Sequence, residues 1–297
     1  MKIAVVQLSY GEGADESVAD RATRVADLVR THGAGHDLVV LPELWSAGGF
    51  AVDDWQGRSQ ELGEDLLVES SVAPLPEALA PLADAARETG AVLHTGSVVE
   101  RTRQPGAEGR HLWNTSVVLD PQGRICATYR KIHRFGFAGG EPRLMEGGAQ
   151  IVVVDLPAPA DALTVGLSTC YDLRFPELYR AQLDLGAELF VVPAAWPAAR
   201  VEAWRVLLRA RAVEDQCFVV ACNTAGEHAG VPMGGRSAVV DPWGTVLVEA
   251  GTGEEVLSVE IDTDAVDAAR TSFPVLADRR LRRDGARVFP AAGAPLT

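Results

Sequence analysis

One pattern occurs twice in this chain and constrains its fold more than any other feature. "IAVVQL" (3–8), a helical stretch and "DLVVLPEL" (37–44) are echoed by "LTVGLSTC" (163–170), a helical stretch and "ELFVVPAAW" (188–196). Short, continuous apolar runs of this kind suit strands buried on both faces. In the first unit Val18, Ala22, Val25 and Val29 recur on one helical face, and Asp15 is a candidate N-cap. In the second, a helix runs from about Pro176 to Leu185, with the proline in its first turn. A strand–helix–strand unit that repeats predicts two similar layers packed face to face.

Between and after these units the pattern changes. "NTSVVLD" (114–120) and "RICATYRKI" (124–132) flank Pro121-Gln122-Gly123, a hairpin signal. "RSAVVD" and "TVLVEA" flank Pro242-Trp243-Gly244 in the same way. A helix is expected over 77–89, and the longest over 200–216, with Val201, Trp204, Leu208, Ala212 and Val213 on its core face. Parallel units mixed with hairpins predict an α/β fold with two mixed sheets. No Pro/Gly/Ser-rich linker divides the chain, so residues 1–272 read as one domain and 273–297 as a C-terminal arm.

Charge and composition narrow the function. The chain has 297 residues and a net charge of −14, a surface that repels nucleic acid and anionic membrane. The basic "RRLRR" (279–283) is a local exception, read as a solvated or interface segment. No apolar run approaches the length of a membrane span, and the N-terminus reads as a first strand. Four cysteines without CxxC spacing imply free thiols in a reducing, cytoplasmic setting. Neither a phosphate-binding glycine loop nor a clustered metal-ligand spacing occurs, so no cofactor and no metal are expected.

Three polar residues stand at strand ends. Taken singly, Glu43 in "VVLPELW" reads as a helix-start or salt-bridged acid, Lys131 as a solvated lysine, and Cys170 in "GLSTCYDLRFPE" as a core thiol. Together they make a different set. Glu43 and Cys170 read as equivalent places in the two repeats, and sites form at the carboxyl ends of strands in α/β sheets. A thiol is mostly protonated at neutral pH and needs a base or a nearby cation to act as a nucleophile. Glu43 supplies the base and Lys131 the cation, and the start of the following helix adds positive potential.

On "LPELW", "YRKIHRF" and "STCYDLRFPE" the chain resembles the nitrilase superfamily of carbon–nitrogen hydrolases, and "PAAWP" (193–197) and "GGRSAVVDPWG" (234–244) extend the likeness. The resemblance implies a four-layer α-β-β-α sandwich and a Glu43–Lys131–Cys170 triad. It implies a second site glutamate, for which Glu141 fits better than Glu146. It implies an oxyanion held by Lys131 and the backbone N–H of Tyr171. It also implies dimers or larger homo-oligomers with C-terminal arms crossing the partner. "CYDLRFPE" is most similar to the omega-amidase branch, which cleaves a small amide through a thioester and releases ammonia. A carbamoyl amino acid hydrolase or nitrilase of the same fold is the alternative, and a non-catalytic interaction protein a third. Arg174 is either a clamp for a substrate carboxylate or a structural partner of Asp172 or Glu177. Phe135, Phe137, Trp45 and Trp196 are candidate pocket walls.

Overall fold

The computed structural model describes residues 1–10, 16–63, 75–136, 139–156 and 163–280. The candidate cap Asp15, the candidate wall residue Phe137 and most of the arm (281–297) lie outside them.

The first repeat unit is β1 (Lys2–Gln7), α1 (Val18–Gly33) and β2 (Leu38–Val40). Ser17 caps α1, its hydroxyl accepting the Asp20 N–H at 3.1 Å. Ala22, Val25, Ala26 and Val29 bury one face of the helix, and each valine contributes about 1.5 kcal/mol of transfer free energy. Next come α2 (Ala80–Thr89) and the antiparallel run β3 (Val92–Arg101), β4 (Leu112–Leu119) and β5 (Ile125–Arg130). Pro81 falls in the first turn of α2, where its missing N–H costs nothing, and Gly90 ends the helix at φ +72°.

A short helix, α3 (Glu141–Leu144), leads to β6 (Val153–Asp155) and the second unit: β7 (Thr164–Leu167), α4 (Pro176–Asp184) and β8 (Leu189–Pro193). The chain continues through α5 (Val201–Asp215), β9 (Phe218–Cys222), the small hairpin β10 (Glu227–His228) and β11 (Val231–Pro232), then β12 (Ala238–Val240), β13 (Val246–Glu249), β14 (Glu255–Glu260) and α6 (Ala265–Ser272).

Two six-stranded mixed sheets result, ordered β14-β1-β2-β3-β4-β5 and β13-β12-β9-β8-β7-β6. β1 pairs with β2, and β7 with β8, in parallel, so both repeat units form as expected. Alternation along each strand then builds the layers. Ile3, Val5, Leu38 and Val40 face the second sheet and share a core with Leu167, Val191 and Val220. Ala4, Val6, Val39 and Leu41 point the other way, against α1 and α2. On the far side Trp204, Leu208 and Ala212 of α5 cover the second sheet with α4. The expected α-β-β-α sandwich is the observed one.

Three local expectations are corrected. Val213 is 51% exposed, not core, because it lies one helical step past Ala212 and off the buried stripe. The apolar run "QIVVVDL" (150–156) reads as a strand throughout, but only the three residues of β6 form one. Glu43 and Cys170 are not at matching points of the repeat. Glu43 follows β2, the second strand of its unit, whereas Cys170 follows β7, the first strand of its own. The true counterpart of the Glu43 loop is the loop after β8, and the two meet: Glu43 N–H reaches the Ala194 carbonyl at 3.4 Å.

Candidate active site

Glu43, Lys131, Cys170 and Glu141 converge on one pocket of about 240 Å³. The first three stand just beyond the carboxyl ends of β2, β5 and β7, and Glu141 opens α3. The backbone is bent to present two of them. Cys170 sits at φ +48° and Leu44, directly after Glu43, also at φ +48°. A non-glycine residue in this left-handed region costs on the order of 1 kcal/mol, held here by the packing around it. Gly96 makes room beside Glu43: at φ +70°, an added Cβ would lie 1.9 Å from the Pro42 carbonyl oxygen.

The charges are buried and mutually satisfied. Lys131 Nζ donates to Glu43 Oε1 at 2.7 Å and to both oxygens of Glu141 at 3.0 and 2.9 Å. Ala195 N–H donates to Glu43 Oε2 at 2.8 Å, and Phe135 N–H to Glu141 Oε2 at 2.5 Å. Asn114 Nδ2 bridges the two carboxylates, 2.8 Å from Glu43 and 2.6 Å from Glu141. Burial works against the Lys131 charge, but Glu141 and Glu43 outweigh it and hold the ammonium well above its ordinary range. Burial, then the Glu43 charge, pushes the Glu141 carboxyl up against the pull of Lys131. Burial, then the Glu43 charge, also pushes the Cys170 thiol well above its usual value despite Lys131. The resting sulfur is therefore a neutral thiol beside a carboxylate.

Asp172 anchors the turn that carries the cysteine. It is fully buried and accepts from Thr169 N–H at 2.9 Å, Tyr129 hydroxyl at 2.7 Å and His133 N–H at 2.9 Å, with His133 Nδ1 at 2.7 Å. Cys170–Arg174 form a 3-10 turn, which separates Cys170 from the first turn of α4. The α4 amides are thus further from the sulfur than the sequence implies.

The remaining candidates divide. Glu146 lies outside the pocket, its carboxylate accepting from Glu108 and Arg110 N–H groups. Phe135 lines the pocket with Phe50, Val52 and Trp55. Tyr171 packs its ring on Phe135, centroids 5.4 Å apart, and its N–H has no hydrogen-bond partner among the described residues. Trp45 is not a wall: it is fully buried in the core with α1 and α2, donating to the Thr95 carbonyl. Trp196 is displaced from the lining as well. Its ring contacts Arg174 and Trp204, while its neighbour Ala195 faces the pocket.

Arg174 pairs with neither Asp172 nor Glu177. Its guanidinium lies 4.9 Å from the Trp196 ring centroid, and it is not among the residues lining the pocket. Asn114, Phe50 and Trp55 were missing from the sequence-based set. The signal available for Asn114 is an asparagine placed within the strand run "LWNTSVVL". Among the described residues no three His, Cys, Asp or Glu side chains are grouped to hold a metal ion.

Two helix-flanked sheets with a buried thiol, ammonium and carboxylates at their strand ends define a hydrolase of the α-β-β-α sandwich class. The family model described as carbon–nitrogen hydrolase matches residues 2–271. A 2-oxoglutaramate amidase of Paenarthrobacter nicotinovorans is 43% identical over 280 residues, covering 94% of this chain and 90% of its own. The deaminated glutathione amidase of Homo sapiens is 38% identical over 283 residues, covering 94% and 82%. A CN-hydrolase superfamily protein of Xanthomonas campestris superposes with a TM-score of 0.79 at 29% identity, covering 95% of this chain and 98% of that one. The chain belongs to the carbon–nitrogen hydrolase family, the nitrilase superfamily, on its omega-amidase-like branch.

Proposed function

We propose that this enzyme hydrolyses the terminal amide of a short-chain monoamide that carries a second carboxylate, such as a 2-oxoglutaramate-like omega-amide. The observation that carries the reading is the meeting of Glu43, Lys131, Glu141 and Cys170 on one small pocket. A volume of about 240 Å³ favours a short acyl chain over a peptide-length one. An Arg174 free of Asp172 and Glu177 supports its role as a carboxylate clamp.

The chemistry follows from the protonation states. Cys170 Sγ attacks the amide carbon as Glu43 removes the thiol proton, so no free thiolate has to survive in a buried site. The new oxyanion is held by the Lys131 ammonium and the Tyr171 N–H. Glu43 then gives the proton to the leaving nitrogen, the C–N bond breaks, and ammonia departs from a thioester. A water molecule, deprotonated by Glu43, attacks the thioester carbon. The C–S bond breaks, the carboxylic acid leaves, and the proton returns to sulfur. Glu141 and Asn114 hold Lys131 and Glu43 in register throughout.

Two broader features belong to the same reading. Exposed Val206, Val213, Trp243 and Phe273 support a homodimer built on α5 and its neighbours, since apolar surface of this kind marks interfaces. The four free thiols support residence in a reducing, cytoplasmic compartment.

Ammonia release from a panel of omega-amides, carbamoyl amino acids and nitriles tests the proposal. Turnover of the omega-amide without carbon dioxide is expected. Cys170→Ala should reduce it to the uncatalysed level with the fold intact, whereas Cys126→Ala should not. Preferred release of carbon dioxide with ammonia would instead mark a carbamoylase. Activity surviving in Cys170→Ala would sink the thioester route.

A further inference from the structure

A substrate that carries a carboxylate meets an electrostatic problem in this pocket. Glu43 and Glu141 against Lys131 leave the charged trio at −1 when both acids are ionised. Among the described residues Lys131 is the one cation lining the pocket, and both carboxylates already hold it. An anionic substrate is therefore repelled unless a cation outside the lining compensates. Resting on the omega-amidase reading above, we propose that Arg200 is that cation, a second carboxylate-reading arginine at the pocket mouth, acting beside Arg174.

Arg200 closes the 3-10 turn Ala198–Arg200 and is exposed. Its guanidinium carbon lies 5.3 Å from the ring centroid of Phe135, which is itself a pocket wall. Trp196 links the two arginines. Its ring carries the Arg174 guanidinium, and its Nε1 donates to the Arg200 carbonyl at 2.8 Å. Among the described residues neither arginine side chain forms an ion pair or a hydrogen bond, in a chain where acids outnumber Lys and Arg by 41 to 27. A guanidinium on an aromatic face keeps its in-plane N–H donors free to take a carboxylate. Because Arg200 is exposed, its attraction is screened by salt and acts on capture of the substrate, not on the chemical step.

The test compares glutaramate, the monoamide of a five-carbon diacid, with pentanamide, its neutral analogue of equal length. The wild-type enzyme decides the omega-amidase reading: it should prefer glutaramate, and equal turnover of the two would overturn that reading and this proposal with it. Given the preference, Arg200→Ala decides the role of Arg200. The ratio of kcat/KM for glutaramate over pentanamide should fall about tenfold, through KM and not kcat, as for loss of one charge-assisted hydrogen bond. Arg200→Lys should recover part of it. Wild-type kcat/KM for glutaramate should also fall with added salt more steeply than that of Arg200→Ala. An unchanged ratio, or an equal loss on both amides, would overturn the proposal while leaving the omega-amidase reading in place.

Discussion

The Tyr129 hydroxyl donates to Asp172 Oδ2 at 2.7 Å, joining the strand that leads into Lys131 to the turn that presents Cys170. Burial, then the Asp172 charge, holds the phenol well above its ordinary range, so it is a donor at neutral pH. Tyr129→Phe removes one of four donors to a buried carboxylate. A cost of about 2 kcal/mol is expected, read as a lower urea midpoint with unchanged slope. Turnover should drop less than for any change at Cys170.

Lys131 has a structural duty distinct from its proposed catalytic one. Lys131→Met leaves Glu43 and Glu141 buried without a cation. Breaking a buried ion pair from one side costs about 3–5 kcal/mol. Adding Glu141→Gln should return much of that stability, since one buried charge disappears, yet should restore no activity. Urea unfolding and ammonia release on both variants separate the two duties. Recovery of turnover in the double variant would refute an oxyanion role for Lys131.

Acid should weaken the fold through His94. Burial lowers this imidazole from 6.5 to about 4, and its Nδ1 accepts the Gly96 N–H at 3.2 Å. A depressed base is neutral in the folded state while its unfolded counterpart takes up a proton. Its stability contribution is therefore complete above pH 6.5 and is lost as pH falls toward 4. About 2 kcal/mol should vanish between pH 7 and pH 5 from this group alone. His94→Asn keeps an acceptor for Gly96 and should flatten that part of the pH profile. A profile as steep as wild type would assign the loss to other groups.

The apolar surface on α5 continues through Val213, which Gly244 approaches closely, to Trp243 and Phe273, ring centroids 6.5 Å apart. Val213→Glu places a charge at its centre. Sedimentation should show a dimer for the wild type and a shift to monomer for the variant. A wild type that sediments as a monomer would remove the interface altogether.

By itself the sequence determined the layers and brought out the candidate reacting groups. Buried parallel strands appear as continuous apolar runs, so both repeat units were legible, and Glu43, Lys131 and Cys170 each stand where such a run stops. These are local signals, written in consecutive residues. Tertiary structure alone decided what faces what. Trp45, two residues beyond Glu43, turns to the opposite side of its sheet, because Leu44 between them sits at φ +48° and breaks the alternation of the strand. Asn114 reaches two carboxylates contributed by segments 71 and 27 residues away, a meeting that no periodicity encodes. Arg174 does not pair with Asp172, whose oxygens are taken by Tyr129, Thr169 and His133. Arg200 gains its place from Phe135 and Trp196, brought together only when the two sheets pack. Hydrophobic patterning dictates which residues are buried, whereas hydrogen-bond partners and pocket walls depend on the register of distant segments, which packing sets.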